Sequence, residues 1–380
     1  MKRLFIISFC VVLFNCKEDK AVSKQLPKTT ETSFLSYAEG FSVSTNEAFS
    51  VLNINNPWPK SEKSYSYALI KKENAPKITL NKDEFDGIIT IPIQKIVVTS
   101  TTHIPALELL GVEQSLVGFP GTDYISSDKT RQRIDNDNVR ELGTNEGINT
   151  EVLLDLHPDV VVAFGVDGTN KGMEVIERSG ISVIYNGDWV EKSPLAKAEW
   201  IKFFGLLYNK ENVADSIFNQ IEKDYLEAKK IASNATSKPS ILCGAMYKDV
   251  WYLPNGTSPE AQFLDDANTN YLWSDTKASG SLALSFEAVF NKAKDAQLWL
   301  SPSYYTSYED LAKANSHYTE FKAFQNKNIF TFSNTTGRTG GILYYEMGIA
   351  RPDLVLKDMI KICHPELLTT YETTFFKPLQ

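Results

Sequence analysis

The chain has 380 residues, which at about 150 residues per domain predicts roughly two domains with a sizeable apolar core. Lys and Arg total 39 against 47 Asp and Glu, a net charge of -8 with no long basic run, so a nucleic-acid partner would lack its electrostatic term. Apolar residues make up 42%, which excludes disorder, and the 17 Tyr and 6 Trp supply many flat amphipathic rings for ligand contact.

The first sixteen residues read as an address label. Lys2 and Arg3 form a charged start, residues 4–13 are apolar but too short to span a bilayer, and Cys16 closes Leu13-Phe14-Asn15-Cys16. This resembles a bacterial lipoprotein signal, although Phe14 and Asn15 replace the usual small residues. Cys16 would then be acylated and become the first mature residue. Residues 17–33 are a polar Lys/Glu/Thr-rich tether. Lys17-Glu18-Asp19 resembles the short surface-export signal of Bacteroidetes lipoproteins. Cys243 and Cys363 remain in the body and are expected as two buried thiols.

Residues 34–95 hold short β-like runs broken by Asn56-Pro57 and Ala75-Pro76, expected as hairpins at the edge of a first lobe. From there strand-like runs at 95–99, 116–119, 160–164, 183–185, 240–246, 298–301 and 329–332 alternate with helical patterns. That alternation predicts an α/β fold with largely parallel sheets. Between 193 and 233 the only Gly is Gly205 and no Pro follows Pro194, while Val213, Ile217, Ile221, Tyr225 and Ala228 recur at helical spacing. One long helix over 193–234 is expected to join an N-terminal lobe, 34–192, to a C-terminal lobe, 235–380.

An internal near-repeat supports two matching lobes. Residues 148–155 lie over 284–291, so that Glu151 and Glu287 each follow a cap-like residue and open a helix. At equal distances beyond, Asp159 and Asp295 precede strands. A carboxylate in a first helical turn is favoured by the dipole whatever its role. Its recurrence in both halves is the informative part.

These stretches resemble the periplasmic substrate-binding proteins of ABC importers, in the class with a rigid interlobe helix that serves cobalamin and ferric siderophores. The resemblance rests on Leu116-Val117-Gly118-Phe119, on Gly147-Ile148-Asn149-Thr150-Glu151, on Leu156-His157-Pro158-Asp159-Val160, and on the second-lobe runs 251–273 and 282–300. The tail, with Arg351-Pro352-Asp353-Leu354 and His364-Pro365-Glu366-Leu367, looks like Bacteroidetes versions. The resemblance implies two Rossmann-like lobes joined by a long α-helix, a ligand cleft between them, and modest lobe movement on binding. It further implies that Glu151 and Glu287 dock onto arginines of the permease transmembrane subunits. The protein is expected to be a monomer in the periplasm, lipid-anchored to a membrane, with surface display for an outer-membrane transporter as an alternative.

Ligand residues are expected at strand ends facing the cleft. Those from the first lobe are Thr102, His103, Phe119, Phe164 and Trp189. From the second come Tyr247, Trp251, Tyr304, Tyr305 and Arg338, whose Gly-rich loop would bring a guanidinium to an anionic ligand group. The richness in rings suits a large flat ligand, and the resemblance implies that it is a corrinoid (cobalamin) or ferric chelate. A zinc or manganese receptor is the alternative, since related scaffolds use three His with a carboxylate, but the four His here include no His-rich loop. No nucleophile elbow, Walker loop, dinucleotide fingerprint, His-Glu-x-x-His or Cys-x-x-Cys is present, so an enzyme is not expected, nor a resident cofactor or metal.

Overall fold

The computed structural model of the protein describes residues 30–31, 34–168, 171–278 and 280–380; Cys16, the signal and nearly all of the tether lie outside them. The first lobe is organised by a five-stranded parallel sheet in the order Ser182–Asn186, Val160–Phe164, Ile96–Val98, Leu116–Phe119, Arg140–Glu141. Its central strands are apolar on both faces. Val160 and Val162 point into one core with Ile96 and Val98, whereas Val161 and Ala163 point into another with Val97. A strand covered on both sides reads as an unbroken Val-rich run, which is why Val160–Phe164 matches the expected boundaries.

Residues expected as edge hairpins form a second five-stranded sheet, Thr30–Glu31, Phe41–Thr45, Ser50–Asn55, Ser64–Lys71 and Gly87–Ile91. The pairs are antiparallel except the last, which is parallel. Phe41, Leu52, Ile54 and Leu69 send their side chains into the first lobe's core, and the buried Tyr67 hydroxyl donates to the Val183 carbonyl at 2.7 Å. The added sheet is thereby stitched to the parallel one.

The second lobe repeats the plan with a sheet ordered Asn270–Tyr271, Ser240–Cys243, Leu298–Leu300, Ile329–Thr331, Lys377–Pro378, parallel save for the terminal strand. The expected strand over 240–246 is cut at Gly244, and Ala245–Tyr247 starts a separate three-stranded antiparallel sheet with Val250–Leu253 and Leu282–Leu284. Cys243 and Cys363 are free thiols.

The single helix expected over 193–234 is instead three: Pro194–Glu199, Ile201–Leu207 and Glu211–Ala232. Asn209 takes the left-handed conformation, φ 53°, and the chain turns there. Asn tolerates that geometry, so a break needed neither Gly nor Pro. The last helix is the strut. Its first half gives Ala214, Phe218 and Ile221 to the first lobe's core, and its second half gives Tyr225, Ala228 and Ala232 to the second lobe's core. One rigid element is thus buried at both ends, each large side chain worth roughly 1.5–3 kcal/mol.

Between the strand Thr30–Glu31 and the strand Phe41–Thr45, two glutamates grip the backbone. The buried Glu199 carboxylate accepts the N–H groups of Ser36, Tyr37 and Ala38 at 2.8–2.9 Å and pairs with Lys202 at 3.0 Å. Glu191 accepts the Gly40 N–H at 2.8 Å and the Trp200 indole N–H at 2.9 Å. A Cβ on Gly40 would lie 2.7 Å from the Trp200 ring, so only glycine passes this close. Tyr37 reaches the strut itself, donating its hydroxyl to Glu222 at 2.5 Å.

Candidate functional site

In each sheet the crossovers leave a central strand in opposite directions, and the crevice at that switch point is where open α/β sheets hold ligands. In the first lobe it lies between Ile96–Val98 and Val160–Phe164. The loops that leave these strands bring Thr99, Ser100, Thr101 and Phe164 to one cavity of about 350 Å³. Phe119, Pro120, Tyr124 and Asn145 complete that side. The second lobe closes the other with Tyr304, Tyr345 and the turn Gly340-Gly341-Ile342. The Thr99 hydroxyl accepts the Phe164 N–H at 2.8 Å, and the Asn145 amide donates to the Thr99 carbonyl at 3.0 Å, so the floor is internally braced.

A second interlobe cavity of about 180 Å³ lies beside it, lined by Thr102, Trp189 and Lys197 on one side and by Glu260, Phe263 and Tyr344 on the other. Lys197 and Glu260 face each other at 3.8 Å. Thr102 donates to the fully buried Asp188 carboxyl at 3.0 Å. Burial pushes that carboxyl up to about 6, against the pull of Thr102 and Lys197. A wider groove, about 700 Å³, belongs to the second lobe alone, and its Lys361 and Lys377 are already spent on the carbonyls of Leu368 and Thr373.

Of the expected ligand residues, Phe119, Phe164 and Tyr304 line the main cavity, and Thr102 and Trp189 line the smaller one. Five do not. Trp251 is fully buried, donates its indole N–H to the Cys243 carbonyl at 2.9 Å and stacks on Trp299 with ring centroids 5.5 Å apart. On a strand, side chains alternate, and it is the neighbouring Tyr252 that points outward. His103 is buried against Phe204, 5.6 Å between ring centroids, and burial alone pushes its imidazole down to about 3. Tyr247 is exposed on the antiparallel sheet beneath Lys248, and Tyr305 packs on the second lobe's core. Arg338, expected to meet a ligand anion, pairs instead with Asp135 of the opposite lobe.

That pairing belongs to an interlobe clasp. The Glu346 carboxylate, from the second lobe's helix Leu343–Met347, accepts the N–H groups of Ser126 at 2.5 Å and Ser127 at 2.9 Å in the first lobe. Burial, aided by the nearby Glu108, pushes Glu346 up to about 7, with the serine hydrogen bonds opposing. A Cβ on Gly341 would sit 2.2 Å from the Tyr124 carbonyl oxygen, so the loop presses backbone to backbone. Tyr124 and Tyr345, both cavity residues, come from the two sides of this clasp and were missed by the sequence reading. Tyr124 lies just past the strand-end loop that the reading reached, and Tyr345 lies just past the Gly-rich loop assigned to Arg338.

Glu151 and Glu287 are both exposed in the first turns of their helices, Thr150–Leu156 and Phe286–Ala293. Asn149 caps the first by accepting the Val152 N–H at 3.1 Å, and Ser285 caps the second by accepting the Ala288 N–H at 3.2 Å. Each helix leads into a central parallel strand, so the matching halves hold at the level of hydrogen bonds. Among the described residues no three of His, Cys, Asp and Glu are gathered so as to hold a metal ion, and no helix is long and apolar enough to cross a membrane.

Known proteins share this architecture. An uncharacterised lipoprotein of Methanocaldococcus jannaschii is 26% identical over 321 residues, 81% of this chain and 75% of its own. A periplasmic haem-binding protein from Pseudomonas aeruginosa superposes with a TM-score of 0.56 at 16% identity, over 76% of this chain and 98% of its own. A possible iron-binding, periplasmic solute-binding protein from Staphylococcus epidermidis gives 0.55 at 17%, over 72% and 99%. These structural likenesses establish the two-lobed fold. The profile of the periplasmic binding protein family matches residues 96–335, more than half of the chain and both walls of the cleft up to its closing loop, and the chain therefore belongs to the periplasmic binding protein family.

Proposed function

We propose that this protein captures a ferric chelate or a corrinoid in the interlobe cleft and delivers it to an ABC permease. The observation that carries the reading is the cavity of about 350 Å³ at the switch point, walled by both lobes and by the rings of Phe119, Phe164, Tyr124, Tyr304 and Tyr345. Rings of this kind bury a flat ligand while their hydroxyls orient it. The volume falls at the small end of the range for small-molecule sites, roughly 300–1,000 Å³, which favours a compact chelate over a whole corrinoid. The haem-binding and possible iron-binding proteins among the structural neighbours point to the same class. A zinc or manganese receptor lacks support, because His103 is sealed in the core.

In this reading Cys16 carries the lipid, the tether confines the protein to a membrane, and Glu151 and Glu287 meet permease arginines, one per lobe. Trp189 beside the cleft is a built-in reporter. Titrating the purified chain with ferric siderophores, haem and cobalamin is expected to quench tryptophan fluorescence for one class, and Phe164→Ala is expected to weaken that binding about tenfold. Failure of every class to bind would refute the reading. For docking, Glu151→Ala with Glu287→Ala is expected to lower cellular uptake at least about tenfold at unchanged ligand affinity. A loss of affinity would instead show that the two acids serve the cleft.

A further inference from the structure

Among the described residues, every side chain that lines the cavity assigned above to ligand capture is uncharged. Its polar groups are the hydroxyls of Thr99, Ser100, Thr101 and the three tyrosines, together with the Asn145 amide. The basic groups on the facing loops, and the buried acids beside them, are engaged elsewhere. Arg338 is on Asp135, and Glu346 is on two backbone N–H groups. Lys197 faces Glu260. Arg131 donates to the Thr122 carbonyl at 2.5 Å, and Glu141 accepts the N–H groups of Gly121, Thr122 and Gly143.

An ionised ligand group entering this cavity would shed its water and find no counter-charge, a cost that hydroxyl hydrogen bonds offset only in part. A neutral complex loses nothing of the kind. Its outward oxygens accept from the phenols, and its carbon frame packs on Phe119, Phe164 and Ile342. Resting on the capture reading, we infer that the site selects ligands whose buried part is formally neutral. Three hydroxamates cancel the charge of a ferric ion, whereas three catecholates leave a trianion. Among tetrapyrrole-like ligands, cobalamin is neutral and haem carries two ionised propionates.

The test compares charge within each shape class by fluorescence titration of the purified chain: ferrichrome against ferric enterobactin, and cobalamin against haem. In whichever class binds, the neutral member is expected to bind at least about a hundredfold tighter, with an affinity that does not change between low and high salt. Tyr304→Arg, an exposed loop position, is expected to narrow that gap by about tenfold, and Tyr304→Phe is expected to leave it in place. An anionic member that binds as well as its neutral counterpart, or within about tenfold of it, overturns the inference and leaves the capture reading standing. Absence of binding by all four probes overturns the capture reading, and this inference with it.

Discussion

The two lobes agree where each builds its scaffold and differ where each meets the cleft. Both place a side-chain cap, a glutamate in the first helical turn and a central parallel strand in the same succession. At the cavity the first lobe offers short loops straight from its strand ends. The second offers Tyr304 and a long Gly-rich segment that reaches back onto Ser126 and Asp135. Repeated parts therefore serve a geometry that both halves need, and unrepeated parts serve recognition. Loops carried on a rigid frame are the parts free to differ in this way.

The sharpest way to break this contrast uses two rings of the second lobe. Trp251→Ala removes a fully buried indole from a stack with Trp299 and is expected to cost about 3–5 kcal/mol in urea unfolding. Tyr304→Ala is expected to cost under about 0.5 kcal/mol and to act on ligand affinity instead. A reversed ranking would mean that framework and recognition are not separate in this lobe. Next comes the clasp. Glu346→Ala strands the N–H groups of Ser126 and Ser127 and is expected to cost about 2 kcal/mol, with a larger radius of gyration in small-angle scattering as the lobes loosen.

Two buried carboxyls, Glu346 of the clasp and Asp188 beside the smaller cavity, also set a pH dependence. Asp188 and Glu346 are held up to about 6 and about 7, so between their unfolded and folded values the native state binds more protons than the unfolded chain. Their contribution is complete below the unfolded values and is lost as pH rises through 6 and 7. His103, held down at about 3, partly opposes them between pH 5 and its unfolded value, where the unfolded imidazole takes up a proton that the buried one does not, and Glu113 and Glu141, held low by their hydrogen bonds, act only below the ordinary carboxylate range. Melting temperature is therefore expected to fall from pH 5 to pH 8, by an amount on the order of 2 kcal/mol in stability, and Glu346→Gln is expected to flatten the upper half of that slope. The smallest effect tests the repetition itself. Asn149→Ala and Ser285→Ala should each cost about 1 kcal/mol and should match each other, because the two caps do the same job.

Much of the frame could be read from the sequence because it rests on local signals. Val160–Phe164 declares itself as a strand covered on both faces, and Asn149 and Ser285 declare the helix starts. The cleft was readable to the extent that strand ends announce it, which is how Phe119, Phe164 and Tyr304 were found. Trp251 was misplaced because composition does not say which face of a strand points inward. Arg338 was misassigned because its partner, Asp135, lies far away in sequence and on the other lobe. The break at Asn209 went unseen because a left-handed Asn leaves no Gly or Pro behind.

The grip of Glu199 and Glu191 on residues 36–40 has a mechanical consequence. A pull arriving along the chain meets first the strand Thr30–Glu31, paired with Phe41–Thr45, and past Phe34 it passes into Lys202, Glu199 and, through Tyr37, the strut at Glu222. The load is therefore borne by the added sheet and beside the strut, away from the residues that line the groove.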